Sequence, residues 1–289
     1  DLRGFGDSDP APVDATRGVR DYSDDVVATC AALGIESAHF VGWSLGGGVV
    51  MQLLRDHPAL VRTLTLVNPV SPYGFGGTRG ADGEPVTADG AGAGAGGVNP
   101  EFVQRLRDGD RSADSPFSPR QIMLAFYVKP PFEPADADTY VESMLSTVID
   151  DDHYPGDLAT TQVWPGVRAG TRGVLNTMAP NHFRIADALV AVTTKPHITW
   201  VRGDRDAIVS DTSLFDLSYL GSLGFVPGWP GAEASPPQPM IGQTRAVFDR
   251  YAAAGGGYRE VVYAGCGHSP HIERPAEFVA ELLDLVGAA

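Results

Sequence analysis

The sequence has few cysteines, few lysines and no long hydrophobic run. Its two cysteines, Cys30 and Cys266, are far apart, so they imply no disulfide framework and do not have the ligand spacing of a metal site. Only Lys129 and Lys195 are lysines, a bias to which we attach no function. No apolar run approaches the roughly 20 residues of a membrane-spanning helix. We therefore expect no metal, no cofactor and no membrane span.

Positive charge is also scarce. The 289 residues include 21 Lys and Arg against 36 Asp and Glu, for a formal net charge of −15. This balance argues against nucleic acid and anionic membrane surfaces as partners. The length suits one large globular domain, or a domain with an insertion. Free cysteines favour a cytoplasmic location, although the chain opens without methionine and so leaves a removed signal peptide open. The sequence does not indicate an oligomeric state.

The chain is organised around Ser44. Residues 42–46, Gly-Trp-Ser-Leu-Gly, fit the G-x-S-x-G elbow pattern. An apolar run precedes them at 38–41 and an amphipathic run follows at 49–54, which predicts a strand, a sharp turn and a helix. Such a turn strains the backbone of Ser44, and flanking glycines let strand and helix approach closely. The helix N-terminus then directs its N–H groups at whatever lies beside the serine.

Strand and helix patterns alternate along most of the chain. Predicted strands lie at 37–41, 62–68, 196–203 and 258–263, and predicted helices at 20–33, 46–55, 243–254 and 275–286. Continuous apolar strands that alternate with helices predict a doubly wound, mainly parallel α/β sheet.

Residues 71–192 interrupt this alternation. Short helices are predicted at 100–107, 119–127, 137–148 and 184–192, so we expect a mostly helical cap inserted into a core made of residues 1–70 and 193–289. Residues 88–97 are close to low complexity and are predicted to form a mobile loop that could act as a gate. Residues 210–240 are interpreted as a second, shorter insertion.

Three polar residues follow three separate predicted strands: Ser44, Asp206 and His268. Active residues gather at the carboxyl ends of the strands in such sheets. A serine hydroxyl needs a base to take its proton, and the base needs an orienting group. His268 is preferred over His271 as the base because it directly follows a strand and a glycine. The alternative for any single histidine is a core or surface role.

The orienting carboxylate must be chosen among Asp204, Asp206 and Asp211. We prefer Asp206 because it lies one turn beyond the strand, before the apolar residues 207–209 that would fold back onto the core. The alternative is that all three are solvated loop residues, as aspartates usually are.

Four stretches together resemble the α/β-hydrolase fold family, in the subgroup with a Gly-x-Ser-x-Gly elbow and a helical cap. They are residues 1–8, 42–46, 203–206 and 267–275. The resemblance implies that Ser44 is the nucleophile, Asp206 the triad acid and His268 the triad base. The N–H of Leu45, directly after the nucleophile, would be one of two oxyanion donors.

The chain departs from the family pattern at its start. Family members carry further strands and a His-Gly-type oxyanion loop before the segment that matches residues 1–8. We therefore expect the chain to be a fragment of a longer protein. The second oxyanion donor and a strand neighbouring the one that carries Ser44 would then lie upstream of Asp1.

The favoured function is hydrolysis of a carboxylic ester or related acyl compound through an acyl-enzyme. Alternatives are perhydrolase or haloperoxidase activity, C–C bond hydrolysis, or a non-catalytic ligand-binding role. No cluster of basic residues would grip an anion, so a small apolar or mixed acyl substrate is expected. Apolar residues of the elbow, the cap and the Asp206 loop are candidates for substrate contact: Trp43, Tyr73, Phe75, Phe126, Trp164, Met178, Phe183 and Ile208. The alternative for those in the cap is that they form its core.

Overall fold

The computed structural model describes residues 1–288 and contains one four-stranded sheet. Its strands are β1 (Ala38–Trp43), β2 (Val61–Val67), β3 (His197–Gly203) and β4 (Gly257–Tyr263), which are parallel and lie side by side in chain order. The predicted parallel α/β sheet is therefore confirmed.

Helices cover the sheet and fill the segments between its strands. Within residues 1–288 the α-helices are α1 (Arg20–Ala32), α2 (Leu45–Asp56), α3 (Pro100–Arg107), α4 (Pro119–Ile122), α5 (Ala137–Leu145), α6 (Ala186–Ala191), α7 (Leu217–Ser222), α8 (Met240–Ala253), α9 (Pro270–Glu273) and α10 (Pro275–Ala288). Short 3₁₀ turns occupy Ala15–Arg17, Pro58–Leu60, Ala95–Gly97 and Leu175–Met178. A π-helical turn, Met123–Tyr127, directly continues α4, where the sequence predicted one α-helix across 119–127.

One face of the sheet's centre is apolar. Leu64 and Leu66 in β2, with Ile198 and Trp200 in β3, are at most 1% exposed. They pack with side chains of α1, α2 and α8 in one continuous core. Full burial of one such side chain stabilises a fold by about 1.5–3 kcal/mol, which explains why these strands lie centrally.

β1 forms one edge of this sheet. Within residues 1–288, β2 is its ladder partner, with Trp43 opposite Val67. The neighbouring strand expected upstream of Asp1 stays a prediction. The edge position leaves Val41 45% exposed, although it lies in the strand that leads to Ser44.

The long segment between β2 and β3 contributes no strand to the sheet within the described chain. It contains α3 to α6 and three pairs of short strands: Thr78–Arg79 with Glu84–Pro85, Ile149–Asp150 with Tyr154–Pro155, and Leu158–Thr160 with Val167–Ala169. In this segment helical residues outnumber strand residues, and loops connect the helices and strands. The division of the chain into a core and a cap stays a prediction.

Residues 88–97 are packed, in contrast to the predicted mobile loop. Inward alanines alternate with glycines at φ of +70° to +85°: Ala91, Ala93 and Ala95 with Gly90, Gly92 and Gly94. The N–H of Gly92 donates to the carbonyl of Val167, and that of Ala95 donates to Asn176 Oδ1, both at 2.9 Å. A low-complexity composition here encodes a defined backbone path.

Candidate active site

Ser44 lies at a strained corner between β1 and α2. Its φ of 55° and ψ of −120° fall in a region that residues with side chains rarely adopt. Hydrogen bonds fix the corner to the end of β2, because the N–H of Ser44 donates to Val67 O at 2.9 Å and the N–H of Val70 donates to Ser44 O at 3.1 Å. The hydroxyl is therefore presented from a rigid turn at the carboxyl end of the sheet.

Three glycines make the close strand–helix packing possible. A Cβ on Gly42 would lie 2.4 Å from the carbonyl oxygen of Gly46, and one on Gly47 would lie 2.5 Å from Pro69 Cβ. A Cβ on Gly48 would lie 2.7 Å from Val70 Cγ1. The sequence assigned this steric role to both glycines of the elbow pattern, but a Cβ on Gly46 would meet nothing within 4 Å.

The loops after β3 and β4 bring Asp206 and His268 together. His268 Nδ1 lies 2.8 Å from Asp206 Oδ2, and the two side chains are 0% and 2% exposed. Asp206 Oδ1 also accepts from the N–H groups of Ile208 at 2.7 Å and Val209 at 3.1 Å. With Nδ1–H donating to the carboxylate, Nε2 carries the free lone pair. That atom is buried and has no hydrogen-bond partner among residues 1–288.

The rival aspartates have other partners. Asp204 accepts from the N–H of Gly265 at 2.7 Å, and Asp211 accepts from the N–H of Ile241 at 2.7 Å, at the start of α8. Of the three aspartates considered from the sequence, Asp206 is the one in contact with His268.

His271 lies near the site but has an apolar environment. Its ring centroid is 5.1 Å from that of Trp43 and 5.8 Å from that of Phe278. Burial, and to a smaller extent the nearby His268, lowers the pKa of His271 to about 4. The ring is therefore neutral at neutral pH, and among residues 1–288 no carboxylate contacts it as Asp206 contacts His268.

Asn68 fixes the backbone of the His268 loop and was not singled out from the sequence. Asn68 has a φ of 41°, and its Nδ2 donates to His268 O at 2.7 Å. Its Oδ1 accepts from the N–H of Gly203 at 3.3 Å. Trp43 Nε1 donates to the same His268 carbonyl at 2.9 Å. The only signal in the sequence was a polar residue at the end of an apolar strand.

Tyr127, in the π-helical turn, covers the histidine from the other side. Its ring centroid is 5.9 Å from that of His268, at nearly a right angle, and 5.8 Å from that of Trp43. Burial raises the pKa of Tyr127, so its phenol stays protonated at neutral pH. No sequence signal distinguishes this residue from the helical pattern around it.

A cavity of about 310 Å³ lies between these loops and the segment that precedes β3. Its walls carry no charged side chain, and they comprise Phe5, Trp43, Phe102, Leu106, Met123, Tyr127, Val128, Pro134, Tyr140, Ser143, Met144, Thr147, Tyr154, Ser269 and Ile272. Trp43 and Ser269 are the chain neighbours of Ser44 and His268. The cavity therefore borders the site without being lined by Ser44 or His268 themselves.

The residues predicted to contact substrate divide into two groups. Trp43 lines the cavity, whereas Tyr73 and Phe183 are 2% and 1% exposed and belong to the main core. Phe183 packs beneath α2, 3.4 Å from where a Cβ of Gly48 would lie. Their burial does not support contact with a substrate. Ile208 is also buried, and it packs against Val209 and Met240. Its contact with a substrate stays a prediction.

The described part of the chain, residues 1–288, contains no group of three or more His, Cys, Asp or Glu side chains that could hold a metal ion. None of its helices is both long enough and apolar enough to cross a membrane.

Two curated relatives match parts of the chain. RutD of Variovorax paradoxus (strain S110), a proposed carbamate hydrolase, is 46% identical over 68 residues, which are 24% of this chain and 25% of that protein. The 2-hydroxymuconate semialdehyde hydrolase of Pseudomonas sp. (strain CF600) is 35% identical over 107 residues, 37% of this chain and 33% of that protein. The matches thus span between a quarter and a third of the length of these relatives.

A solved structure and a family profile match nearly the whole chain. An esterase from Exiguobacterium antarcticum superposes with a TM-score of 0.55 at 13% identity, over 99% of this chain and 80% of the esterase, and this likeness shows the fold. The profile of the alpha/beta hydrolase family matches residues 1–282. The chain therefore belongs to the alpha/beta hydrolase family.

Proposed function

We propose that this protein is a serine hydrolase that cleaves a carboxylic ester or a related acyl bond through an acyl-enzyme. The observation that carries the proposal is the buried pair of Asp206 and His268, whose Nε2 accepts no hydrogen bond from any of residues 1–288. Ser44 on its strained elbow would be the nucleophile served by that nitrogen. The family and the esterase of the same fold support hydrolytic chemistry.

The reaction would proceed in two halves. Ser44 Oγ attacks the acyl carbon while His268 Nε2 takes the hydroxyl proton, and the tetrahedral intermediate collapses as Nε2–H protonates the departing alcohol oxygen. Water then attacks the acyl-enzyme with the same nitrogen as base, which releases the acid and restores the serine. His268 Nε2 thus receives and returns one proton in each half.

Two other groups would stabilise charge during these steps. Asp206 holds the imidazole in one tautomer and stabilises the imidazolium, and its own position is fixed by two backbone N–H donors. Leu45 is the first residue of α2, so its N–H has no carbonyl four residues earlier in that helix. This N–H is the proposed oxyanion donor, and a second donor upstream of Asp1 stays a prediction.

The cavity would bind the acyl or alcohol group. A volume of about 310 Å³ is at the lower end of small-ligand pockets and roughly twice that of a cavity that holds benzene. Burial of an unpaired charge among its walls would be costly, so an uncharged aryl or medium-length alkyl group is the expected occupant. Residues 71–192 would act as the cap that shapes this cavity over the core formed by residues 1–70 and 193–289.

C–C bond hydrolysis is the second candidate. The match to the semialdehyde hydrolase over 107 residues favours it over the perhydrolase alternative, since the same serine, histidine and aspartate set could serve both reactions. Turnover of a semialdehyde substrate at a higher kcat/KM than any ester would select this candidate.

The test is activity against p-nitrophenyl esters of increasing acyl length, with labelling by a fluorophosphonate. We expect hydrolysis and labelling by the wild type, with an optimum at medium-length or aryl acyl groups. Ser44→Ala should abolish labelling and lower kcat by at least about 10³-fold. Ser222→Ala, an exposed serine on α7, is the matched control and should behave as wild type. Unchanged labelling in Ser44→Ala would refute the proposal.

A further inference from the structure

A buried carboxylate behind the histidine joins two parts of the chain that shape the site. Glu273, the last residue of α9, is 9% exposed. Its Oε1 accepts from the N–H of Gly267 at 2.7 Å, and its Oε2 accepts from the N–H of Lys129 at 2.9 Å. Gly267 precedes His268, and Lys129 follows the turn that carries Tyr127. One side chain thus bridges the histidine loop and the segment inserted between β2 and β3.

The two backbone segments also touch directly. A Cβ on Gly267 would lie 2.8 Å from both Lys129 N and Val128 C, so a glycine is needed there. On the opposite side, a Cβ on Gly203 would lie 2.1 Å from Gly267 O. The histidine loop is therefore held between the end of β3 and residues 128–129, and a small shift of either would move it.

Glu273 makes no ion pair within 4 Å in the described residues, so backbone N–H groups are its main partners. Burial raises the pKa of Glu273, and its hydrogen bonds to Lys129 and Gly267 act in the opposite direction. A carboxylate can accept on both oxygens at once, whereas an amide offers one acceptor oxygen and one NH₂ group. Two converging N–H donors therefore require a carboxylate. In a glutamine variant one of the two N–H groups would face the NH₂ group and lack an acceptor.

We propose that Glu273 is a positioning residue, which sets the backbone of Gly267 and His268 relative to residues 127–129 and thereby aims His268 Nε2 at Ser44. This inference rests on the proposed function of the triad. The same bridge fixes Tyr127 over the imidazole, so the cavity wall and the proton-transfer group keep one relative geometry. A misplacement of about 1 Å at such a site can cost two orders of magnitude in rate.

The test is Glu273→Gln in the full chain, with Glu277→Gln as the control. Glu277 is one turn further along, its side chain is 64% exposed, and it pairs with Arg274 at 3.5 Å. Titration with a fluorophosphonate run to completion counts folded sites, so that kcat is expressed per titrated serine. We expect E273Q to lower kcat per site by about 10-fold, with KM changed less than about twofold, because both halves of the reaction need His268. E277Q should match wild type.

Further measurements separate positioning from simple stabilisation. If Glu273 only stabilised the fold, E273Q would unfold at lower temperature while kcat per titrated site stayed at the wild-type value. We also expect faster hydrogen exchange at the amides of Gly267 and Lys129 in E273Q. If E273Q does not fold, E273D keeps the charge but is one methylene too short to reach both amides, and it should show the same loss.

The two proposals fail in different ways. A wild-type protein that neither hydrolyses esters nor reacts with the phosphonate would refute the serine hydrolase assignment. An active wild type, with E273Q or E273D at the wild-type kcat per site, would overturn the positioning role alone.

Discussion

Leu66 in β2 and Ala95 in the segment between β2 and β3 are both fully buried, but different interactions hold them. Leu66 lies in a regular ladder between two strands and contributes a large apolar surface to the core. Ala95 contributes one methyl group, and its N–H is held by the side chain of Asn176. The sheet thus depends on apolar burial, and the stretch at residues 90–95 depends more on glycine backbone geometry and a buried amide group.

The candidate site combines both kinds of structure. Ser44, Asp206 and His268 all follow strands of the sheet, whereas Tyr127 and much of the cavity wall come from the inserted segment. The difference predicts that substitutions after the strands change the rate of reaction with little loss of stability. Substitutions in the inserted segment should mainly change stability or substrate choice.

The largest effect is expected at the buried carboxylate. Asp206→Asn would keep the side-chain shape but favour the wrong histidine tautomer, and it should lower kcat by about 10⁴-fold, the loss seen when the orienting aspartate of a Ser-His-Asp triad becomes asparagine. Asp204→Asn is the matched control, because Asp204 accepts from Gly265 and does not contact His268. Steady-state kinetics on one p-nitrophenyl ester measures both. Equal losses in the two variants would contradict the assignment.

Asn176 is expected to dominate the stability of the inserted segment. Its Oδ1 accepts from the N–H groups of Ala95 and Gly170 at 2.9 and 3.0 Å, and its Nδ2 donates to the carbonyls of Asp157 and Arg172 at 2.9 and 2.7 Å. Asn176→Ala leaves these buried groups unpaired and should lower the free energy of unfolding by about 4 kcal/mol.

The matched control for this substitution is Asn99→Ala. Asn99 caps α3 by accepting from the N–H groups of Glu101 and Phe102 in an exposed turn, where water can replace it. The expected cost is about 1 kcal/mol, measured by chemical denaturation in parallel. An equal cost for both asparagines would remove the special role given to buried amides.

The packed glycine-rich stretch gives the next effect. Gly92 and Gly94 have nearly equal φ angles of +85° and +84°. A Cβ on Gly92 would come no closer than 3.6 Å to Pro165, whereas one on Gly94 would lie 2.4 Å from Asn176 Oδ1. G92A should cost about 1 kcal/mol for the backbone conformation alone, and G94A about 2 kcal/mol more through overpacking. A mobile stretch would tolerate both equally, as measured by thermal unfolding.

The smallest effect concerns pH and His271. Because its pKa is lowered to about 4 in the folded protein against an ordinary value of 6.5, the unfolded chain binds more protons between those values. Its contribution to stability is therefore present above pH 6.5 and is lost as the pH falls towards 4. Between pH 7 and pH 5 the wild type should lose about 2 kcal/mol more stability than H271Q. Parallel losses in urea denaturation would contradict the burial of a neutral ring.

The strands of the sheet could be predicted from the sequence more completely than the inserted segment. β2 and β3 were found because residues 62–68 and 196–203 are runs of mainly apolar and β-branched residues, a signal that depends on burial in a sheet. The elbow was predicted from its glycine and serine pattern, and Ser44, Asp206 and His268 were selected because each follows a predicted strand. The distances between these residues could not be predicted, because they depend on how three loops converge.

The inserted segment was less predictable for a physical reason. Residues 88–97 have a composition typical of mobile loops, and their order depends on Asn176, about 80 positions away. Tyr73 and Phe183 are aromatic residues of the kind that line pockets, and only tertiary packing places them in the main core. Asn68 bonds to the main chain of His268 and Glu273 to that of Lys129, which are 200 and 144 positions away, and no local pattern encodes such contacts.

In the proposed mechanism Ser44 forms a covalent intermediate with His268 as its base. Mass spectrometry of the protein after reaction with a fluorophosphonate tests it directly, because the adduct can be placed on one peptide. We expect a single adduct on Ser44 in the wild type, and labelling at least about 10³-fold slower in His268→Gln but not in His271→Gln. An adduct on another serine, or equal labelling rates in the two histidine variants, would contradict the account.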